Sequence, residues 1–185
     1  MRSGLTVIFS VILVFLAAGG IGWLVSMFNS LIQVKNNIGK AWKNIDVLLL
    51  QRNEELPKLI DLCKAYMKYE EDVLRSLTTL RLAFGNARSV LAKTNIENQM
   101  RERMAALFGV GERHPELKAN QLYLKLQERI ADLESMIADR RVFFNDTVAI
   151  YNIQIEQVPQ MYFAWLLRYK PHPYLKLPGI AGGKS

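Results

Sequence analysis

The side chains best suited to covalent or metal chemistry in this sequence are one cysteine and two histidines. Cys63 falls on an apolar helical stripe, which indicates a small buried core residue rather than a reactive thiol. His114 precedes a proline and His172 lies between two prolines, and neither has a cysteine, histidine or acid at metal-ligand spacing. No nucleophile lies beside a base in a recognisable motif. The sequence therefore predicts no catalytic residue, no metal site and no cofactor.

Charged residues on apolar stripes give a sharper hypothesis for a polar site. Glu70 is the one charged residue on a stripe of helical spacing over residues 56–91, and Arg140 and Arg141 lie where a later stripe should continue. We expect a buried Glu–Arg pair, which would fix helix register more than it stabilises the fold. Alternatively, Glu70 lies at the edge of the stripe and reaches water. Three further residues could join this bundle polar network or be ordinary solvated positions: Asp46, Asn145 and Asn152.

An apolar run of about 24 residues, from 5 to 28, precedes these positions. No charged residue lies between Arg2 and Lys35. A helix over this run would be ~36 Å long, enough to cross a ~30 Å hydrocarbon core. A cleaved signal peptide is the alternative, but its apolar region is usually only ~7–15 residues long. A buried core helix would not be apolar on every face. We therefore predict an uncleaved transmembrane anchor over residues 1–28, with Trp23 at the membrane interface.

The residues after the anchor show helical rather than strand periodicity, because apolar positions recur in steps of three and four. Pro57 is predicted to lie in the first turn of the second helix, and Pro159 to stop the fourth. The predicted helices span residues 29–52, 54–92, 95–110 and 115–157, and the first continues directly from the anchor. Sequential helices with short links pack antiparallel. The predicted fold is therefore all-α: an N-terminal transmembrane helix followed by an antiparallel four-helix bundle with long helices, over residues 29–158.

Residues 159–185 form a third predicted region, a tail with four basic residues and no acid. An even number of helical passes returns the chain to the membrane near Pro159. Aromatic residues and cations without acids suit the headgroup region there. The alternative is that these aromatic residues cover the open end of the bundle core. The predicted membrane-interface residues of the tail are Tyr162, Phe163, Trp165, Arg168, Tyr169, Lys170, Tyr174 and Lys176.

Two short motifs begin a pattern that extends along almost the whole chain. Residues 28–31 read aromatic-Asn-x-Leu, and residues 41–47 read Ala-Trp-x-x-Ile-Asp-Val. Further matching positions follow in order: Arg52, Leu56, Pro57, Leu59, Tyr66, Glu70, Pro115 to Asn120, Arg141 to Asn145, Tyr151 and Asn152. In these motifs the sequence resembles the LemA family. It departs from the family pattern at Tyr69, where a histidine is expected, and in a tail that runs past the usual end.

The resemblance implies a single-pass bacterial or archaeal membrane protein with a four-helix bundle. It implies little about function, although one branch of the family is associated with magnetosome membranes. The basic residues Lys35, Lys40 and Lys43 after the run outnumber Arg2 before it. The positive-inside rule therefore favours a cytoplasmic bundle, and the resemblance implies that the membrane is the cell (inner) membrane.

These observations predict a membrane-anchored scaffold or adaptor that acts through protein–protein interaction and is not an enzyme. The alternative is a membrane-remodelling or organelle-biogenesis component, magnetosome-like, that binds lipid through its anchor and basic tail. The expected partners are the lipid bilayer, unidentified proteins and, through the small residues Gly19, Gly20 and Gly22, a second copy of the chain. Nucleic acid is not expected, although Lys+Arg number 24 against 17 Asp+Glu, because no basic stripe follows a helix.

Overall fold

The protein is seen in a computed structural model that describes residues 2–67 and 71–176, with side chains from residue 9 onward. Within these residues the chain is all-α and contains no strand, which confirms the predicted fold class at that level. The helices are α1 (Arg2–Tyr66), α2 (Glu71–Asn86), α3 (Val90–Gly111), α4 (Pro115–Lys118), α5 (Gln121–Glu156) and α6 (Gln160–Leu166).

Helix α1 confirms one sequence prediction and corrects another. It runs without a break from the apolar run into the next segment, as expected, but it also continues to Tyr66. The predicted break between residues 52 and 54 is therefore wrong, and Pro57 lies inside a helix rather than in a first turn. An interior proline costs ~3 kcal/mol relative to alanine. The helix persists because its neighbours Leu56, Leu59 and Ile60 are buried in the core.

The predicted second helix, residues 54–92, is wrong in its extent because the chain leaves the helix after Tyr66 and begins α2 at Glu71. The apolar stripe stays in step across this interruption, so its periodicity gave no sign of the break. Helix α3 begins at Val90, earlier than predicted. Ser89 caps it, with its hydroxyl oxygen accepting a hydrogen bond from the Ala92 N–H at 3.1 Å.

The predicted fourth helix is divided in two by Asn120. The side-chain oxygen of Asn120 accepts hydrogen bonds from the N–H groups of Leu122 (2.9 Å) and Tyr123 (3.2 Å), which caps a new helix, α5. Helix α5 ends at Glu156, close to the predicted stop at Pro159. The Val158–Pro159 peptide bond is cis, and the short helix α6 follows it within the predicted tail.

The chain divides into two compact units. Unit 1 comprises Met1–Trp42 and Phe143–Tyr174. In this unit every side chain from Phe9 to Ser26 is exposed, and burial begins at Met27. Helix α1 is long and apolar enough to cross a membrane, and none of its most apolar 18-residue window is covered by the described protein. The core of unit 1 contains Leu31, Ile38, Ala41, Phe144, Val148, Tyr151, Ile155 and Ala164.

Unit 2 comprises Lys43–Val142 and Leu175–Ser185. Its buried apolar residues lie on stripes of α1, α2, α3 and α5. At one place in this core a side chain would collide with a neighbour: a Cβ at Gly111 would lie 3.0 Å from Cζ of Tyr123 and closer still to its hydroxyl oxygen. The main apolar core residues of unit 2 are Ile45, Leu49, Leu56, Leu59, Leu77, Phe84, Met100, Leu107, Leu126, Ile130 and Leu133.

Candidate functional site

A group of charged side chains is enclosed within the core of unit 2. We call it the ion cluster, and it consists of Arg52, Glu97, Arg101, Glu134 and Arg141. Arg52 and Glu97 have no exposed surface, and Arg141 is only 2 % exposed. Each of these three residues continues the apolar stripe of its helix, so the folding of α1, α3 and α5 carries the charges into the interior.

Glu97 lies at the centre of the ion cluster. Arg52 Nη1 donates to Glu97 Oε1 at 2.9 Å, and Arg52 Nη2 donates to Glu97 Oε2, which forms a two-pronged ion pair. Arg52 Nη1 also donates to Glu134 Oε1. Arg141 Nη2 lies 3.3 Å from Glu97 Oε1. At the more exposed edge, Arg101 Nε lies 3.7 Å from Glu134 Oε2.

Burial and pairing act in opposite directions on the arginines of the ion cluster. Burial alone would lower the pKa of Arg52, but attraction to Glu97 and Glu134 outweighs it, so the pKa of Arg52 is raised. Burial lowers the pKa of Arg141, because Glu97 compensates only in part while Arg101 and Arg52 repel it. Both guanidinium groups remain protonated at neutral pH. The ion cluster therefore links α1, α3 and α5 through charged partners.

The structure places the predicted bundle polar network in several locations. Arg141 joins the ion cluster, whereas Arg140 is exposed, and Glu70 lies outside the described residues. Asp46 accepts a hydrogen bond from Lys93 Nζ at 2.5 Å in a half-buried ion pair. The predicted pairing of Glu70 with an arginine stays a prediction. The two asparagines of that network, Asn145 and Asn152, are half-buried on α5 in unit 1.

An open groove lies on the surface of unit 2 between α1 and α5. Its volume is about 440 Å³. Val47, 52 % exposed, and Met136, 38 % exposed, contribute apolar surface to the groove, and Asp139 and Arg140 contribute solvent-facing charges. We call this the α1–α5 groove, and it is lined by Asn44, Val47, Leu48, Met136, Asp139 and Arg140.

In unit 1, side chains of α5 hold the tail by hydrogen bonds to its backbone. The Asn152 side chain accepts a hydrogen bond from the His172 N–H at 2.8 Å and donates one to the His172 carbonyl at 3.0 Å. The Tyr151 hydroxyl donates to the Lys170 carbonyl at 3.1 Å. The His172 ring packs edge-on against Phe144, with the ring centroids 5.9 Å apart. We call these contacts the tail clasp.

The predicted membrane-interface residues fall into two groups. Exposed residues are Trp23, Tyr162, Trp165, Arg168, Lys170, Tyr174 and Lys176. Phe163 and Tyr169 are partly covered instead: Phe163 packs edge-on against Phe28, at 6.1 Å between ring centroids, and the Tyr169 ring lies under Lys35 Nζ at 3.7 Å. Contact with lipid stays a prediction for the whole set.

Reactive and metal-binding groups are sparse among the described residues. Cys63 is fully buried, and burial raises the pKa of its thiol to about 11, so it stays protonated at neutral pH. The ring nitrogen Nδ1 of His172 lies 3.0 Å from the Pro173 carbonyl. Within residues 9–67 and 71–176, no three histidines, cysteines or acids are grouped to hold a metal ion.

Sequence reasoning missed Arg52 and Glu97 as site residues, although a usable signal was present. Arg52 continues the spacing of Ile45 and Leu49 toward Leu56, and Glu97 precedes Met100 on the apolar stripe of α3. The same criterion that selected Glu70, a charge on an apolar stripe, therefore selects both residues once the helices are correctly bounded.

Comparison of the sequence with known proteins identifies its family. No curated protein matches the sequence. Residues 41–183 match the LemA family, a stretch that includes the Ala-Trp-x-x-Ile-Asp-Val motif, the ion cluster and the tail clasp. Because the match covers most of the chain, the protein belongs to the LemA family.

Proposed function

We propose that this protein is a membrane-anchored helical scaffold or adaptor, which binds a partner protein and carries out no catalysis. The observation that carries the proposal is the α1–α5 groove, where exposed apolar side chains lie beside Asp139 and Arg140. Mixed apolar and charged lining suits a partner helix or peptide. Beneath the surface, the described part of unit 2 is braced by arginine–glutamate pairs.

Anchoring in the cell (inner) membrane by a single pass is part of this proposal. The exposed side chains of Phe9 to Ser26 include no ionisable group, so lipid is the medium in which that surface is favourable. Basic residues after the span favour a cytoplasmic domain. Gly19, Gly20 and Gly22 have no described atom near the position of a Cβ, which leaves a close-packing face for a second copy of the chain.

An antiparallel four-helix bundle of α1, α2, α3 and α5 is the arrangement we propose for unit 2. Within this unit, residues further along α1 contact residues nearer the N-terminal end of α5, as in antiparallel helices. Contacts between α1 and α3 advance in the same direction along both helices, as in parallel helices. The pairs are Arg52 with Glu134 and Tyr66 with Asn120 for the first, and Asp46 with Lys93 and Arg52 with Glu97 for the second. Alternation of direction with short links is the topology of an up-down bundle.

Site-specific photo-crosslinking in cells tests the scaffold function. A photoreactive residue replacing Met136 in the α1–α5 groove of the full chain should yield a discrete protein adduct. The matched control replaces Glu102, which is exposed on α3 outside the groove. The substitution Val47→Asp should abolish the adduct at position 136 without releasing the chain from the membrane. Equal adducts at both positions, or no adduct at position 136, would count against the scaffold function.

The same experiment separates the membrane-remodelling alternative. If Met136 yields no protein adduct while overproduction of the chain changes vesicle size or curvature, the lipid-binding function is the better account. This second function is supported by the exposure of two aromatic residues of the tail, Tyr162 at 64 % and Trp165 at 81 %.

A further inference from the structure

The short helix α6 lies at the level where the uncovered span of α1 ends. Phe163 of α6 packs edge-on against Phe28, with the ring centroids 6.1 Å apart. Phe28 follows the last exposed residue of the span, Ser26, by only two positions, and Met27 between them is the first buried side chain. The contact therefore holds α6 beside the end of the proposed membrane span.

The face of α6 that points away from the protein is apolar. Met161, Tyr162, Trp165 and Leu166 are exposed at 40, 64, 81 and 68 %, whereas Ala164 is buried. Of its seven residues only Gln160 has a polar amide side chain. A solvated helix normally exposes charged and polar residues. An exposed apolar face next to an exposed apolar span indicates that one apolar medium covers both surfaces.

After α6 the chain turns and moves away from the span. Arg168 adopts the left-handed conformation (φ 54°), and the following residue, Tyr169, lies under Lys35. His172 then packs against Phe144, which itself contacts Trp42. Positions 28 and 42 of α1 are ~21 Å apart along the helix axis, so the end of the tail lies far from α6 in this direction.

We propose that α6 is an interfacial helix, with Met161, Tyr162, Trp165 and Leu166 inserted into the lipid leaflet from which α1 emerges. Lipid is the occupant because the face continues an uncovered membrane-span surface and is followed by Arg168, a cation suited to phosphate headgroups. Tyr174, at the far end of this segment of unit 1, lies outside the leaflet. The inference rests on the proposed anchoring of α1. Of the membrane-interface residues predicted in the tail, it retains Tyr162 and Trp165 in the leaflet and Arg168 at the headgroups.

Nitroxide labels report the depth of chosen positions in the full-length protein reconstituted in phosphatidylcholine–phosphatidylglycerol vesicles. The test variant is Trp165→Cys and the matched control is Tyr174→Cys, an aromatic residue of the same tail that is 57 % exposed. Cys63 does not interfere, because its buried thiol remains protonated at neutral pH. The label at position 165 should be accessible to oxygen and shielded from a water-soluble nickel complex, and the label at position 174 should show the reverse.

Three outcomes overturn the inference, and they are distinguishable. Equal access of the nickel complex to positions 165 and 174, in protein that resists alkaline extraction from the vesicles, refutes the interfacial helix and leaves the anchor intact. Spin–spin broadening at position 165 that disappears on dilution with unlabelled protein shows that a second copy covers α6. Release of the chain by alkaline extraction refutes the anchor itself. Leu166→Cys, on the same face, repeats the measurement without removing the indole of Trp165.

Discussion

Different interactions stabilise the interior of each unit. Unit 2 encloses Arg52, Glu97 and Arg141 almost completely and pairs both arginines with Glu97, although Arg52 Nε and Arg141 Nη1 have no hydrogen-bond partner among the described residues. Unit 1, which carries the apolar span, is joined by rings and by amide–backbone hydrogen bonds, as in the contact of Asn152 with His172. Charges specify their partners by sign and geometry, whereas rings tolerate small displacements. The comparison indicates that register is fixed strictly in unit 2 and that unit 1 is held by many weaker contacts.

Removing the central carboxylate of the ion cluster should produce the largest effect. Glu97→Gln takes the nearby carboxylate from the buried Arg141 and leaves Arg52 paired with Glu134 alone. Breaking a buried ion pair typically costs ~3–5 kcal/mol. We expect the free energy of unfolding, measured by urea titration and circular dichroism in detergent micelles, to fall by about that amount. The control Asp61→Asn removes an exposed ion pair to Lys64 and should change it by less than ~0.5 kcal/mol.

A double substitution measures how strongly Arg52 and Glu97 are coupled in the ion cluster. Arg52→Met combined with Glu97→Leu should cost less than the sum of the two single changes, because the double variant leaves neither Arg52 nor Glu97 buried without the other. Additive losses would show that the two side chains are not coupled. An unchanged stability in Glu97→Gln would remove the contrast between the units.

The sequence predicted the all-α fold and much of the core because an apolar stripe reports burial directly. Leu56, Leu59, Cys63, Leu77 and Phe84 lie on the predicted stripe and are buried. The same stripe could not reveal the interruption between α1 and α2, since the spacing stays in step across it.

The ion cluster escaped prediction for a related reason. A helix boundary assigned just after Arg52 hides the fact that this residue continues a buried stripe into Leu56. Partner choice was a second obstacle. Glu97 lies 45 positions from Arg52 in the chain, and no local pattern reports such a contact.

Adding a side chain at Gly111 should cause the second-largest loss of stability. The loss is steric, because no charge or hydrogen bond changes. In Gly111→Ala the new methyl group would meet the ring of Tyr123, which is buried beside it. Overpacking of this kind costs ~1–3 kcal/mol, measured by the same urea titration.

The partner change Tyr123→Phe gives the matched test. It removes the hydroxyl nearest to the new methyl group and should restore part of the loss. The Tyr123 hydroxyl has no hydrogen-bond partner among the described residues, so Tyr123→Phe alone should not destabilise unit 2. A full loss in the double variant would place the clash elsewhere.

Opening the tail clasp should affect unit 1 locally. Asn152→Ala removes both hydrogen bonds to the backbone of His172, each worth ~0.5–1.5 kcal/mol. We expect the amide of His172 to exchange with deuterium ~10-fold faster, since ~1.4 kcal/mol corresponds to a factor of ten. Asn152→Asp keeps the acceptor and loses the donor, so its exchange rate should be intermediate. A matching fall in the urea midpoint would show instead that the tail clasp supports the whole fold.

The smallest expected effect concerns the cation of Lys35 above the ring of Tyr169, at 3.7 Å from the centroid. Lys35→Met keeps the aliphatic stem and removes the charge, and an exposed contact of this type is worth ~0.5–1 kcal/mol. The amide of Tyr169, which donates to the Ala164 carbonyl at 2.9 Å, should then exchange about two- to fivefold faster. In Lys35→Arg the amide of Tyr169 should exchange at the wild-type rate, because a guanidinium also stacks on an aromatic face. If Lys35→Met leaves the rate unchanged, the ring and the tail clasp hold this segment without the cation, and the contrast with the charge-dependent core of unit 2 becomes sharper.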